Sequence, residues 1–257
     1  MIFFPIIFFT RNIENFEFVE YSHFLCLSKY AWNLQIANAF AKAVKKKKPK
    51  TVVVLGGPNF PDSEEERCIF LKKYSSIDFY IVGEGEEGFV NLFKKLKAFE
   101  MNSAQLKKQR EKIQNCAYLL DEELIIGETK RIDDLNRVPC PYQTGMLDPF
   151  FSMPLVPIVE TARGCPFQCT FCADGKMAAN RVFRYHEERV TETLEYIASR
   201  VNGCDELIIA DLNFGMYDQD ISTANTIARL QNEKGYPLAL KASAGKNKPD
   251  KIINITK

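Results

Sequence analysis

From about residue 20 to residue 100, short apolar runs alternate with stretches whose apolar positions recur every three or four residues. This pattern predicts parallel strands covered by helices on both faces. HFLCLS (23–28) is expected to be a strand, and NLQIANAFAKAVKK (33–46) a helix with Leu34, Ile36, Ala37, Phe40 and Val44 largely on one side. TVVVLGG (51–57) is a second strand ending in paired glycines. The segment from Ser63 to Tyr74 begins with acidic residues before turning apolar, as a helix start should. FYIVGEGEE (79–87) is a third strand that feeds a helix running through Leu96. Residues 101–116 are polar and lysine-rich, and AYLLDEELIIGE reads as a hairpin turning at Asp121 to Glu123. PCPYQTGMLDP then breaks regular structure with proline and glycine. Beyond it come LVPIVETA (155–162), a helix at 187–200, the strand ELIIADLNF (206–214), a helix from about 219 to 234 and the strand PLALKAS (237–243). The expected organisation is an α/β domain over 1–100, a linker with a hairpin over 101–152, and a βαβ series over 153–257. That series forms a parallel sheet or partial barrel, because about 100 residues cannot close an eight-stranded barrel of about 250.

Composition narrows the options. Acidic and basic side chains nearly cancel, at a formal net charge of +1, so global charge gives no reason to expect nucleic acid or an anionic membrane as partner. The basic run Lys45 to Lys48 lies at a helix end, where cations complement the dipole. MIFFPIIFF at the N-terminus is too short for a span of about 20 residues, and no basic region precedes it; a buried strand is expected. Eight cysteines without an export signal suggest a reducing cytoplasm rather than a disulfide framework. Cys26, Cys68, Cys116, Cys140 and Cys204 are scattered, as small core residues would be.

The other three cysteines, Cys165, Cys169 and Cys172, form R-G-C-P-F-Q-C-T-F-C directly after a strand. Thiolates are soft donors that hold iron in iron–sulfur clusters. Gly164 and Pro166 keep the first thiol out of a regular helix, so the loop is expected to wrap around a cluster and point all three sulfurs inward. A four-iron cluster on three thiolates keeps one iron for small-molecule chemistry. Structural zinc is the alternative, but it wants four closed ligands, and neither His186 nor Cys204 has finger-like spacing.

This spacing, with aromatic Phe171 before the last cysteine, resembles the signature of the radical SAM superfamily. The resemblance implies a [4Fe-4S] cluster on Cys165, Cys169 and Cys172, with S-adenosylmethionine chelated to the open iron. The reduced cluster would cleave it to a 5'-deoxyadenosyl radical, and Phe171 would lie against the adenine. In parallel α/β folds ligands gather at the C-terminal ends of strands, which places Asp211, Asn213 and Phe214, and then Ser243, Lys246 and Asn247, near the cysteine loop. The superfamily usually has a glycine-rich acidic turn at the end of the second strand; here A-D-L-N-F-G-M stands in its place, with Asp211 and Asn213 as the groups able to hold the amino group. Arg163 and Glu160 are candidates for a direct role or for pairing with each other.

The first domain resembles the flavodoxin-like cobalamin-binding domain of one branch of that superfamily, over residues 23 to about 97. By this likeness, Ser28 and the pair Gly56 and Gly57 would contact the nucleotide tail of cobalamin, and Glu84 and Gly85 form the turn after the last strand. The family's first strand and its D-x-H-x-x-G loop have no counterpart, and His23 lies inside a strand pattern. The chain is therefore expected to be part of a longer protein, its fold a partial flavodoxin-like sheet followed by the first half of a radical-SAM partial (β/α) barrel. The implied function is radical chemistry on an unknown small molecule, such as methyl transfer, with flavodoxin or ferredoxin as electron donor. A non-catalytic cofactor-binding or metal-binding module, or an inactive fragment, is the competing reading.

Overall fold

The computed structural model describes residues 23–172, 175, 180–245, 247 and 249–255, so the N-terminal strand expected at MIFFPIIFF and the residue Lys246 lie outside the described residues. The chain divides into two compact units, Met1–Ile132 and Asp133–Lys257.

The first unit is built on a five-stranded sheet. Strands β1 (Phe24–Ser28), β2 (Val52–Gly56) and β3 (Phe79–Ile81) are parallel neighbours in chain order, joined by helices α1 (Leu34–Lys47) and α2 (Glu64–Lys73). After β3 come α3 (Gly85–Ala98) and α4 (Ser103–Lys108). Alternation in β2 explains its continuous apolar run. Val53 and Leu55 pack under α1 and α2 with Ala37, Ala41, Phe70 and Leu71, while Val52 and Val54 face Leu92, Leu96 and Leu106 from α3 and α4. Ser63 starts α2, its hydroxyl accepting from the Glu66 amide at 3.2 Å and donating to the Glu66 carboxylate at 2.9 Å.

The hairpin is not a free-standing part of a linker. β4 (Cys116–Leu120) pairs antiparallel with β3, and β5 (Glu123–Ile126) with β4, which extends the three parallel strands to five. Its two-residue turn, Asp121 and Glu122, has φ of 49° and 64°, the left-handed geometry that matches strand twist. Tyr118 and Ile125 are buried against the α3 face. The hairpin covers the edge of β3, because Cys116, Ala117, Tyr118 and Ile125 are buried by joining the sheet.

The second unit begins with two short strands, β6 (Ile158–Val159) and β7 (Ala162–Arg163), the latter paired antiparallel with β8 (Phe183–Arg184). Then follow α5 (Glu187–Ala198), β9 (Glu206–Phe214), α6 (Asp218–Lys234), β10 (Ala239–Ala244) and α7 (Pro249–Ile255). Strands β10, β9 and β6 form a three-stranded parallel sheet with β9 central, the expected βαβ arrangement. Val190, Leu194 and Ile197 of α5 and Ile227 and Leu230 of α6 close over Leu207 and Ile209 of β9. Among the described residues no helix is long and apolar enough to cross a membrane.

Candidate functional site

The period of two along β9 carries one face from Leu207 and Ile209 to Asp211 and Asn213, all buried. The apolar stripe therefore turns polar where the strand ends, beside the chain that leaves β6. Asp211 is only 4% exposed, and its Oδ1 accepts from the backbone N–H groups of Thr161 at 2.7 Å and Ala162 at 3.1 Å; its Oδ2 accepts from the Thr161 hydroxyl. Burial raises the Asp211 carboxyl to about 6 even though these donors pull the other way. The effect is to tie the segment entering the cysteine loop onto the end of β9.

Cys165 follows two residues after β7, behind Gly164, whose φ of 112° turns the chain out of the strand. It is 7% exposed, whereas Cys169 and Cys172 are half-buried; none of the described cysteines is paired in a disulfide. Asn213 donates from Nδ2 to the Cys165 sulfur at 3.2 Å, and its Oδ1 is buried without an acceptor's partner. The loop closes on itself through the Cys172 N–H to the Cys169 carbonyl at 3.0 Å and the Gly175 N–H to the Cys172 carbonyl at 3.1 Å. A side chain at Gly175 would sit 2.3 Å from the Cys169 carbonyl oxygen, so that glycine is required by the turn. Phe171 stands on the loop, 86% exposed.

Among the described residues no three Cys, His, Asp or Glu side chains are gathered closely enough to hold a metal ion. Among the described residues the three thiols thus share one loop but, against the expectation that all three point inward, do not gather on a point, with Cys165 buried and Cys169 and Cys172 half-buried. As a donor set they fit a cluster with one open iron: three soft thiols within eight positions, and a buried amide N–H aimed at the first. Ligand binding and loop closure are coupled in such sites.

Other expected residues have different surroundings. Glu160 and Arg163 pair with each other, Nη2 to Oε2 at 2.7 Å and Nε to Oε1 at 2.9 Å, with the Tyr185 hydroxyl 3.4 Å from the same carboxylate. Ser243 is exposed on β10 and Asn247 is exposed beyond it. His186 precedes α5, its backbone N–H on the Asn136 side chain at 2.8 Å. Sequence reasoning missed Asp220, which is buried and accepts from the N–H groups of Gly215 and Tyr217, both at 2.9 Å. This fixes the turn after β9, and an acidic residue at the third position of a helix was the signal available for it.

In the first unit the candidate residues line up at the C-terminal edge of the parallel strands, where Ser28 is opposite Gly56 and Gly56 opposite Ile81. Ser28 is exposed there. Gly57 has φ of 127°, and a Cβ on it would lie 2.3 Å from the Lys29 carbonyl oxygen, so the chain's own packing demands glycine. Lys29, absent from the sequence expectations, is buried: its ammonium lies over the Phe70 ring at 4.3 Å and donates to the Asn59 carbonyl. Glu84 holds the end of the unit, its carboxylate accepting from the Ile132 N–H and lying 3.4 Å from the Arg131 guanidinium. Gly85 opens α3 with nothing within 4 Å of a Cβ position. Gly57→Ala is accordingly expected to cost about 2 kcal/mol or more, whereas Gly85→Ala stays within about 0.5 kcal/mol. The urea midpoints of the two variants of the full chain check this contrast.

The arrangement is thus a C-x3-C-x2-C loop on a βαβ sheet, preceded in the chain by a five-stranded mixed α/β sheet. The chain is similar to cobalamin-dependent radical SAM and methyltransferase proteins. It is 29% identical over 240 residues to the cobalamin-dependent radical SAM methyltransferase TokK of Streptomyces tokunonensis, covering 91% of this chain and 34% of that protein. Over the same shares it is 27% identical to 2-(S-pantetheinyl)-carbapenam-3-carboxylate methyltransferase of Streptantibioticus cattleyicolor. The chain thus spans about a third of the length of these relatives. Among solved structures, the cobalamin-dependent S-adenosylmethionine radical enzyme OxsB matches with a TM-score of 0.59 at 19% identity, over 81% of this chain and 28% of that one. The radical S-adenosylmethionine methyltransferase TsrM of Kitasatospora setae matches at 0.56 and 14% identity, over 86% and 43%. These likenesses support the fold, a partial flavodoxin-like sheet followed by part of a radical SAM barrel. No family model matches the chain.

Proposed function

We propose that this chain is the cluster-binding part of a cobalamin-dependent radical SAM enzyme that functionalises an unreactive carbon of a small molecule, with methyl transfer as the favoured outcome. The observation that carries the reading is the cysteine loop at the end of β6 and β7, with Cys165 held against the buried amide of Asn213. Homology to two cobalamin-dependent or methyl-transferring relatives over 91% of the chain supports it. When bound, a reduced [4Fe-4S] cluster supplies the electron that cleaves the sulfonium bond of S-adenosylmethionine to a 5'-deoxyadenosyl radical.

The chain's own residues have definite parts in this reading. Cys165, Cys169 and Cys172 hold the iron. Asn213 offers its partnerless Oδ1 as an acceptor for the ammonium of S-adenosylmethionine, and exposed Phe171 offers a face for adenine. Asp211 acts on the backbone before the loop rather than on the cofactor, because its oxygens are already engaged by Thr161 and Ala162. Ser243 stays a candidate contact from β10. Ser28, Gly56, Gly57 and Gly85 would border the cobalamin tail, while Glu84 would act on it only through the turn it braces. Flavodoxin or ferredoxin is the proposed electron donor.

The test is anaerobic reconstitution of the full chain with iron and sulfide, read by broad absorption at about 400 nm, then by 5'-deoxyadenosine release on adding reductant and S-adenosylmethionine. Both signals are expected. Colour without release would favour a non-catalytic module, and neither signal would favour zinc or an inactive fragment.

A further inference from the structure

Asn213 is 6% exposed, and its side-chain amide, on β9 outside the loop, contacts the Cys165 sulfur directly. A thiolate bound to iron has no proton, so it can only accept. This fixes which end of the amide faces Cys165: Nδ2 must donate to the sulfur, and Oδ1 must point away, as it does. A hydrogen bond to a cluster sulfur draws electron density from it and stabilises the more negative, reduced state; bonds of this kind are among the determinants of cluster potential. Burial strengthens the effect, since little water competes for the sulfur.

We infer that Asn213 is a positioning residue for the cluster, whose amide donates to the Cys165 thiolate and thereby raises the potential at which the cluster takes up its electron. The inference rests on the cluster-binding reading above. It adds that one side chain at the end of β9 couples two tasks. Its donor end tunes the iron site, and that same bond orients its acceptor end. Backbone pairing alone could not do this, because β9 ends at Phe214 and its N–H groups serve the sheet and the turn.

The experiment is a mediated redox titration of the reconstituted full chain without S-adenosylmethionine, followed by the electron paramagnetic resonance of the reduced cluster. Asn213→Leu has nearly the same shape, removes the donor and keeps the pocket apolar. Asn213→Asp, titrated at alkaline pH where its carboxyl is ionised, also removes the donor and adds a negative charge beside an anionic cluster. Both variants are expected to have a lower midpoint potential than the parent chain, with the Asp variant lower than the Leu variant. A Leu variant with parental iron content and parental potential overturns the inference while leaving the cluster reading intact. A parent chain that takes up no iron–sulfur cluster overturns both. If neither variant assembles a cluster, electron spin-echo modulation of the parent decides: a weak nitrogen coupling that changes on 15N-asparagine labelling supports the contact, and no change overturns it.

Discussion

Alanine at any one of Cys165, Cys169 or Cys172 is expected to leave the reconstituted chain with at least about tenfold less iron and no 5'-deoxyadenosine release above background. The reason is the size of the donor set. A four-iron cluster with one open iron takes three thiolates, so the loss of any one leaves a second iron without its protein ligand. Alanine at Cys26, Cys68 or Cys204 removes a thiol far from the loop in sequence and is expected to leave iron and absorption at the parental level. Iron per chain after gel filtration, measured beside the absorption spectrum, separates the two groups. Parental iron in all three loop variants would remove the loop from the chemistry, and zinc in place of iron would transfer it to a structural role.

The second large effect concerns Asp211. Replacing it with alanine strands two buried N–H groups and the Thr161 hydroxyl, and is expected to cost about 2 to 4 kcal/mol, read as a lower urea midpoint of the full chain. Asn at this position should behave differently. Its carbonyl oxygen can accept the same two N–H bonds, and its amide can donate to the threonine oxygen. The sign of the pH dependence follows from where the proton is held more tightly. The Asp211 carboxyl is raised by burial to about 6, above its ordinary 3.8, so between these values the folded chain binds more protons than the unfolded one. Its contribution to stability is therefore fully present below about pH 4 and declines as the pH rises through about 6, by at most about 3 kcal/mol. The stability of the parent chain minus that of Asp211→Asn is expected to fall over this window and level off above it. Paired urea titrations from pH 4 to 7 would show a flat difference if the carboxyl were not raised.

Much of this was legible before any coordinates. β9 was expected at 206–214 and is found at Glu206–Phe214, because strict alternation leaves little freedom in a half-buried strand. The cysteine loop was legible because three thiols in eight positions have few bland explanations. The hairpin's existence was readable from its local pattern, but its pairing with β3 was not, since strand partners across a sheet leave no periodic trace in one segment. Asp211 lies near a strand end as expected, yet its partners are mainly backbone N–H groups, which every residue carries and no motif announces. Gly57 looked like a ligand glycine; the Lys29 backbone passing 2.3 Å from its missing Cβ gives it a structural duty that sequence could not reveal. Inward convergence of the three sulfurs is expected from the loop's sequence but is not found among the described residues, since spacing along the chain puts the thiols on one loop without fixing where each side chain points.

The positions of Asp211 and Asn213 on one face of a central strand make the sheet a measuring device. A slip of β9 by a single residue would bring Ala210 and Leu212 to that face, and both the tether of the incoming chain and the donor to the first thiol would vanish together. Placement of the first thiol is thus stored in hydrogen-bonded strand alignment as well as in the loop, and under the proposed cluster binding, repacking beneath Leu207 or Ile209 that shifted this alignment would be felt as altered electron affinity.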